Sequence, residues 1–206
     1  SLILLKASGV RYRVAGLEKL DPRGHYFFAT NHESAFDIPL AFGGLPYHVV
    51  PIAKRELRKI PIMGWAMVRA KHIFIDRQNY KKAMESLREA GESLQRHPRS
   101  VLIFPEGTRS TNGEIHRFKK GGLGLAVDLG MPVVPMASCG TRDIVPKRSF
   151  VIHPGKIELK IGDPIDTKLW KEKGRTEFSN FVREQVILLR TSWAAGQKAE
   201  TEGEDA

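Results

Sequence analysis

A histidine and an aspartate stand five apart in "FFATNHESAFDIPL", residues 27–40, where an apolar run breaks at Asn31-His32 and Asp37 follows. On a regular helix five residues turn through about 500°, which leaves two such side chains roughly 140° apart. They meet only if His32 lies in a loop and Asp37 in the first turn of the helix behind it. A carboxylate held against one imidazole nitrogen would fix the tautomer and leave the other nitrogen to take a proton from a hydroxyl nucleophile. The same two residues also read as a loop histidine and an acid favoured at a helix N-terminus by the macrodipole. Spacing alone does not choose between them.

A second candidate is "FPEGTRS", residues 104–110. Gly107 after an apolar run permits a sharp turn whose backbone N–H groups suit a phosphate or another anion. Arg109 adds a planar fork that matches phosphate oxygens, and Glu106 would hydrogen-bond a substrate hydroxyl or anchor Arg109. Arg77, after "HIFID", reads as an anion clamp or as a solvated loop charge. Other chemistries lack their residues. No G-x-S-x-G surrounds Ser34, and neither H-E-x-x-H nor G-x-x-x-x-G-K occurs. The remaining histidines lack ligand spacing, so neither a metal nor a cofactor is expected. "GGLGLA", residues 121–126, follows "FKK" instead of a strand and reads as helix packing in preference to a dinucleotide loop.

These residues need elements to position them. Short apolar runs at 25–30, 48–53, 72–76, 101–104 and 132–137 read as strands. Runs at 150–153 and 157–161 suggest a hairpin around Pro154-Gly155. Helical patterns fill 80–97, 118–130 and 176–195, the first with Met84, Leu87 and Leu94 on one stripe. Strands alternating with helices predict an α/β fold with a mixed, partly parallel central sheet and helices on both faces. In such sheets the loops after the carboxyl ends of strands carry the chemistry. If the strands are parallel, His32, a carboxylate and two arginines converge on one rim.

The chain has 206 residues, 41% of them hydrophobic, enough for one buried domain. Thirty-three Lys and Arg against 23 Asp and Glu give +10. That balance suits an acidic partner: nucleic acid, an anionic membrane or a phosphorylated small molecule. Aromatic residues are only 8% and sit mostly in apolar runs, which argues against nucleic acid. Residues 1–193 are expected to form a single domain, and 194–206, with four acids and one lysine, a disordered acidic tail. The lone Cys139 excludes an internal disulfide and reads as a small core residue. No apolar run approaches the roughly 18–20 residues that span a bilayer, and "SLILLK" is too short for a secretory leader. The chain starts at Ser1 without Met, so an anchor preceding it would not be visible. "KRELRKIPIMGWAMVRAK", residues 54–71, mixes Lys and Arg with Ile60, Ile62, Met63 and Trp65. It suits the boundary of an anionic membrane, or a core helix with a solvated edge. Pro61 and Gly64 argue against one uninterrupted amphipathic helix.

Taken together, the motifs resemble the glycerolipid acyltransferases. "NHESAFD" matches the family's N-H-x-x-x-x-D block and "FPEGTRS" its third block. "HIFIDR" with Arg77 is similar to the second, and Val134-Pro135-Met136 to the fourth. "AKRELRKIPIMGWAM" (53–67) and "FKKG" (118–121) resemble the connecting segments. The second block often opens with a glycine where this chain has Lys71. The resemblance implies a glycerol-3-phosphate acyltransferase-like fold. It also implies transfer of a fatty acyl group from acyl-CoA or acyl-carrier protein to a lysophospholipid hydroxyl, at the cytoplasmic side of a membrane as a peripheral protein. His32 becomes the catalytic base and Asp37 its orienting partner. Asn31, Arg77, Glu106, Gly107, Thr108, Arg109, Lys119 and Pro135 become substrate-binding residues. Two competing readings are the same chemistry on another lipid acceptor and a non-catalytic basic module for membrane or nucleic acid.

Overall fold

The computed structural model describes residues 5, 7–76, 79–146, 149 and 151–204. Among the described residues seven strands form one sheet: β1 Val10–Ala15, β2 Phe27–Thr30, β3 Val49–Lys54, β4 Ile73–Ile75, β5 Ser100–Ile103, β6 Val133–Cys139 and β7 Gly155–Ile161. Their order is β1-β7-β6-β2-β5-β3-β4. Every neighbouring pair is parallel except β6 with β7. The carboxyl ends of β2, β3, β4, β5 and β6 therefore share one rim, as the rim reading requires.

β2 lies at the centre, with Phe27 opposite Val101 of β5 and Val133 of β6. It is a short continuous apolar run because both faces are covered. Phe27, Ala29, Val101, Ile103, Val133 and Cys139 point to one face. There they meet α3 (Tyr80–Arg96), α4 (Lys120–Leu129) and α6 (Arg175–Glu204) through Leu87, Leu123, Val127, Phe178, Val182 and Val186. Phe28, Leu102, Val134 and Met136 point to the other, against Leu40 of α1 (Asp37–Gly44) and the strands β1 and β7; the short helices α2 (Met63–Arg69) and α5 (Thr141–Ile144) lie in the connections after β3 and β6. "GGLGLA" falls inside α4, so its glycines are packing residues: a Cβ on Gly124 would stand 2.9 Å from Arg175 Cδ.

Three expectations change. The hairpin at 150–161 does not form: Val151–Pro154 are non-strand, β7 begins at Gly155, and it pairs with β1 and β6. Phe150 lies outside the described residues. β1, whose "VRYRVA" carries two arginines on a half-buried edge, escaped the apolar-run criterion. The acidic end does not stop the last helix, which continues through Glu204. Ala, Gln, Lys and Glu are good helix formers, and a helix nucleated by packing at Phe178–Val186 propagates at one hydrogen bond per residue. Low hydrophobicity spoke against packing there, not against helix. Among the described residues no helix is long and apolar enough to cross a membrane.

Candidate active site

β2 ends at Thr30, and the chain turns through Asn31–Phe36 into α1. His32 Nδ1 lies 2.7 Å from Asp37 Oδ2. The same oxygen accepts from the backbone N–H groups of Glu33 (2.7 Å) and Ser34 (2.9 Å), and Oδ1 accepts from the Thr141 hydroxyl. Four donors thus converge on a fully buried carboxylate, which assigns the Nδ1 proton to His32 as donor and leaves Nε2 as the basic nitrogen. The imidazole keeps 17% exposure and stacks on Phe104, ring centres 4.1 Å apart. His32 is in the loop and Asp37 opens the helix, the one arrangement that reconciles a spacing of five.

The loop after β5 clamps the backbone of His32 from both sides. Glu106 Oε1 accepts from His32 N–H at 2.9 Å, and Ser110 N–H donates to His32 O at 2.7 Å. Glu106 Oε2 accepts from His116 N–H at 3.0 Å. Burial pushes the Glu106 carboxyl above its ordinary range, opposed by those two backbone N–H groups and by the neighbouring histidines. Both Glu106 oxygens hold the loops together.

Beside Phe104 opens an apolar cavity of about 580 Å³. Ile52, Ile75, Ala83, Leu87 and Ile103 line it, and Gly107, Arg117, Lys119 and Lys120 add polar and cationic groups to its wall. Gly107 has φ +75, and a Cβ there would come within 2.8 Å of Lys119 Nζ. Only glycine lets that ammonium close over the turn. Thr108 is exposed and Arg109 half-buried in the same loop. The structure thus gathers His32, Asp37, Glu106, Gly107, Thr108, Arg109 and Lys119, while Arg77 lies outside the described residues.

Three assignments need correction. Gly107 N–H does not serve an open anion nest, because it donates to Phe104 O at 3.0 Å and closes the turn. Asn31 is fully buried and clamps β6: its Oδ1 accepts from Ser138 N–H and its Nδ2 donates to Ser138 O. Pro135 is buried inside β6 opposite Ala29, and its carbonyl accepts from Gly162 N–H at 2.8 Å. Asn31 and Pro135 shape the rim without lining it.

The acyltransferase family model matches residues 11–139. The chain belongs to the acyltransferase family. It is 38% identical over 160 residues to a 1-acyl-sn-glycerol-3-phosphate acyltransferase of Cocos nucifera, covering 78% of this chain and 51% of that protein. To the Pseudomonas aeruginosa enzyme of the same name it is 36% identical, covering 75% and 59%. The crystal structure of the 1-acyl-sn-glycerophosphate (LPA) acyltransferase PlsC from Thermotoga maritima superposes with a TM-score of 0.74 at 36% identity. That match covers 86% of this chain and 69% of the other. The chain spans between about half and two thirds of the curated relatives' lengths.

Within this acyltransferase domain, sequence reading missed Thr141, Phe104, Ser138 and Glu33. Thr141 reaches Asp37 across 104 positions, and nothing local marks it. Phe104 stood inside a quoted motif, but its stacking on His32 depends on β2 and β5 being neighbours. Among the described residues no group of His, Cys, Asp or Glu is placed to hold a metal ion.

Proposed function

We propose that this domain transfers a fatty acyl group from a thioester donor, acyl-CoA or acyl-carrier protein, to the free hydroxyl of lysophosphatidic acid, giving phosphatidic acid for phospholipid synthesis. The observation that carries it is the Asp37-held imidazole of His32 stacked on Phe104, itself a wall of an apolar cavity. His32 Nε2 takes the proton of the acceptor hydroxyl as its oxygen attacks the thioester carbonyl. The C–S bond then breaks, and the departing thiolate takes a proton from the imidazolium, whose charge Asp37 stabilises. A positioned base contributes about 10²–10⁴-fold to such a step. Direct transfer is supported by what the other nucleophiles do. The buried Ser34 hydroxyl donates to Val145 O, and burial pushes the Cys139 thiol up to about 12.

Arg109 and Lys119 supply cationic groups for the acceptor phosphate, with Arg77 joining them by its motif match. The apolar cavity wall suits a hydrocarbon chain. The names of the relatives favour lysophosphatidic acid over other acceptors.

A membrane surface is the natural source of such an acceptor. The excursion between β3 and β4 supports that reading: Ile62 is 84% and Trp65 70% exposed, with Ile60, Met63 and Val68 also exposed. Arg55, Arg58, Lys59, Arg69 and Lys71 surround them. Apolar tips ringed by cations suit an anionic bilayer on the cytoplasmic side, where the protein would sit peripherally.

The test is thiol release from palmitoyl-CoA with lysophosphatidic acid, comparing wild type with His32→Ala and identifying the lipid by mass spectrometry. Phosphatidic acid from wild type, and turnover lower by about 10²–10⁴-fold in the variant, is the expected result. Turnover surviving in His32→Ala overturns the base assignment. A folded wild type inactive on every lysolipid with both donors points instead to a binding module.

A further inference from the structure

Glu33 follows the base directly, yet its side chain turns away from the substrate rim. It is 1% exposed and forms an ion pair with Arg190 of α6, whose side chain is 23% exposed. The same carboxylate oxygen accepts from Asn31 Nδ2 at 3.0 Å, and the Glu33 backbone N–H donates to Asp37. Asn31, Glu33 and Asp37 therefore form one hydrogen-bonded frame around His32, and Arg190 pins it from outside. Arg190 lies beyond residues 11–139 that match the family model, and so does Arg183, two turns earlier on the same helix face. Arg183 donates to the carbonyls of Ile115 and His116, and His116 N–H reaches Glu106. The last helix thus grips both loops that hold the base.

We propose that Glu33 and Arg190 are a positioning pair: through this frame α6 sets the orientation of His32 for proton transfer. The inference rests on His32 being the base, as proposed above. A charge pair this buried fixes geometry because any displacement of Glu33 leaves a desolvated charge without its partner. Displacing the base by even about 1 Å can lower turnover by about 10²-fold. Arg190 also borders a groove of about 470 Å³ shared with His116, Arg117 and Arg183, so a small cation can reach the space left by a truncated side chain.

The experiment compares Arg190→Met, Arg190→Lys and Glu33→Gln with wild type, each assayed well below its own thermal midpoint and checked by circular dichroism. Arg190→Met should lose about 10²-fold in kcat with both KM values unchanged. Millimolar guanidinium chloride should restore part of that kcat, where sodium chloride of equal ionic strength does not. Arg190→Lys, which keeps the charge without the fork, should fall between the two. Glu33→Gln should lose kcat and show no response to guanidinium. A folded Arg190→Met with wild-type kcat, a loss confined to KM, or a loss indifferent to guanidinium overturns the proposal. Should Arg190→Met fail to fold, Glu33→Gln decides, and wild-type kcat there overturns it. His32-dependent turnover with fully active pair variants sinks this inference alone, whereas a wild type without such turnover sinks the proposed function with it.

Discussion

The loops that leave β2 and β3 treat their side chains in opposite ways. After β2, the polar residues Asn31, Glu33, Ser34 and Asp37 are all but completely buried, and each is hydrogen-bonded. After β3, the apolar residues Ile62 and Trp65 are the exposed ones. Each loop inverts the usual rule that apolar groups go inside and polar groups out. The inversion after β2 is answered within the chain, because each of these side chains finds partners that hold one geometry, although Glu33 Oε2 is left without a hydrogen bond. The inversion after β3 is not answered among the described residues, and an exposed apolar patch of this kind suits contact with a surface outside them. On the reading proposed above, chemistry is built where polar groups are over-determined, and attachment where apolar groups are left exposed.

The strongest way to break this contrast is at Asp37. Asp37→Asn places an amide where one oxygen serves His32 and two backbone N–H groups, so the imidazole loses its tautomer and its charge partner. Turnover should drop by about 10²–10⁴-fold, or about 3–5 kcal/mol in the barrier. Binding to vesicles should not change. Steady-state kinetics beside a co-sedimentation assay reads both, and loss of vesicle binding would show that the two loops are not independent.

Trp65→Ala tests the other loop. On the membrane reading proposed above, removing this tryptophan should weaken partitioning by about 2 kcal/mol, roughly thirtyfold, on vesicles containing phosphatidylglycerol. Turnover on detergent-dispersed lysophosphatidic acid should stay at the wild-type level. Unchanged partitioning would remove this excursion from the membrane contact.

The contrast also explains what the sequence could reveal. Strand positions were legible because β2, β5 and β6 are unbroken apolar runs, and the His32–Asp37 pair because its block stands in order with three others that resemble a family's motifs; its spacing alone left two readings open. The partners of Asp37 and Glu33 were not, since Thr141 and Arg190 reach them from 104 and 157 positions away. Asn31 and Pro135 looked like substrate contacts because they sit in functional motifs. Sequence proximity to the rim does not tell a residue facing the cleft from one tying two strands together.

Glu106 offers a smaller effect with a definite sign. Its carboxyl is raised by burial, so the unfolded chain ionises first as pH climbs. Stability carried by this group is present below the ordinary carboxylate range and is lost as pH rises towards the raised folded value. Glu106→Gln should abolish that part of the slope while costing about 1–3 kcal/mol, because its NH2 faces a backbone N–H that had an acceptor. Urea denaturation of both proteins in steps from pH 4 to about pH 7 measures the difference. A wild-type advantage that grows with pH would mean that the two N–H bonds outweigh burial.

The smallest expected effect lies at Lys71, where the excursion returns to β4. Its φ is +55, the left-handed region that costs an L residue about 1–2 kcal/mol, and the family pattern often has glycine there. The conformation is held from both sides: Lys71 N–H donates to Val68 O, and Lys71 O accepts from the buried Arg99. The exposed lysine side chain does not itself require it. Lys71→Gly should therefore stabilise the fold by up to about 1 kcal/mol, since the relief exceeds the backbone entropy that glycine brings, about 0.5–1 kcal/mol. At this chain length that is a rise of about 2–4 °C in Tm. Lys71→Ala, which keeps a Cβ, should give no gain, so equal midpoints for Ala and Gly would show that the turn is unstrained. A Gly variant that gains stability but binds vesicles less well would show that the left-handed turn also helps hold Ile62 and Trp65 in their exposed positions.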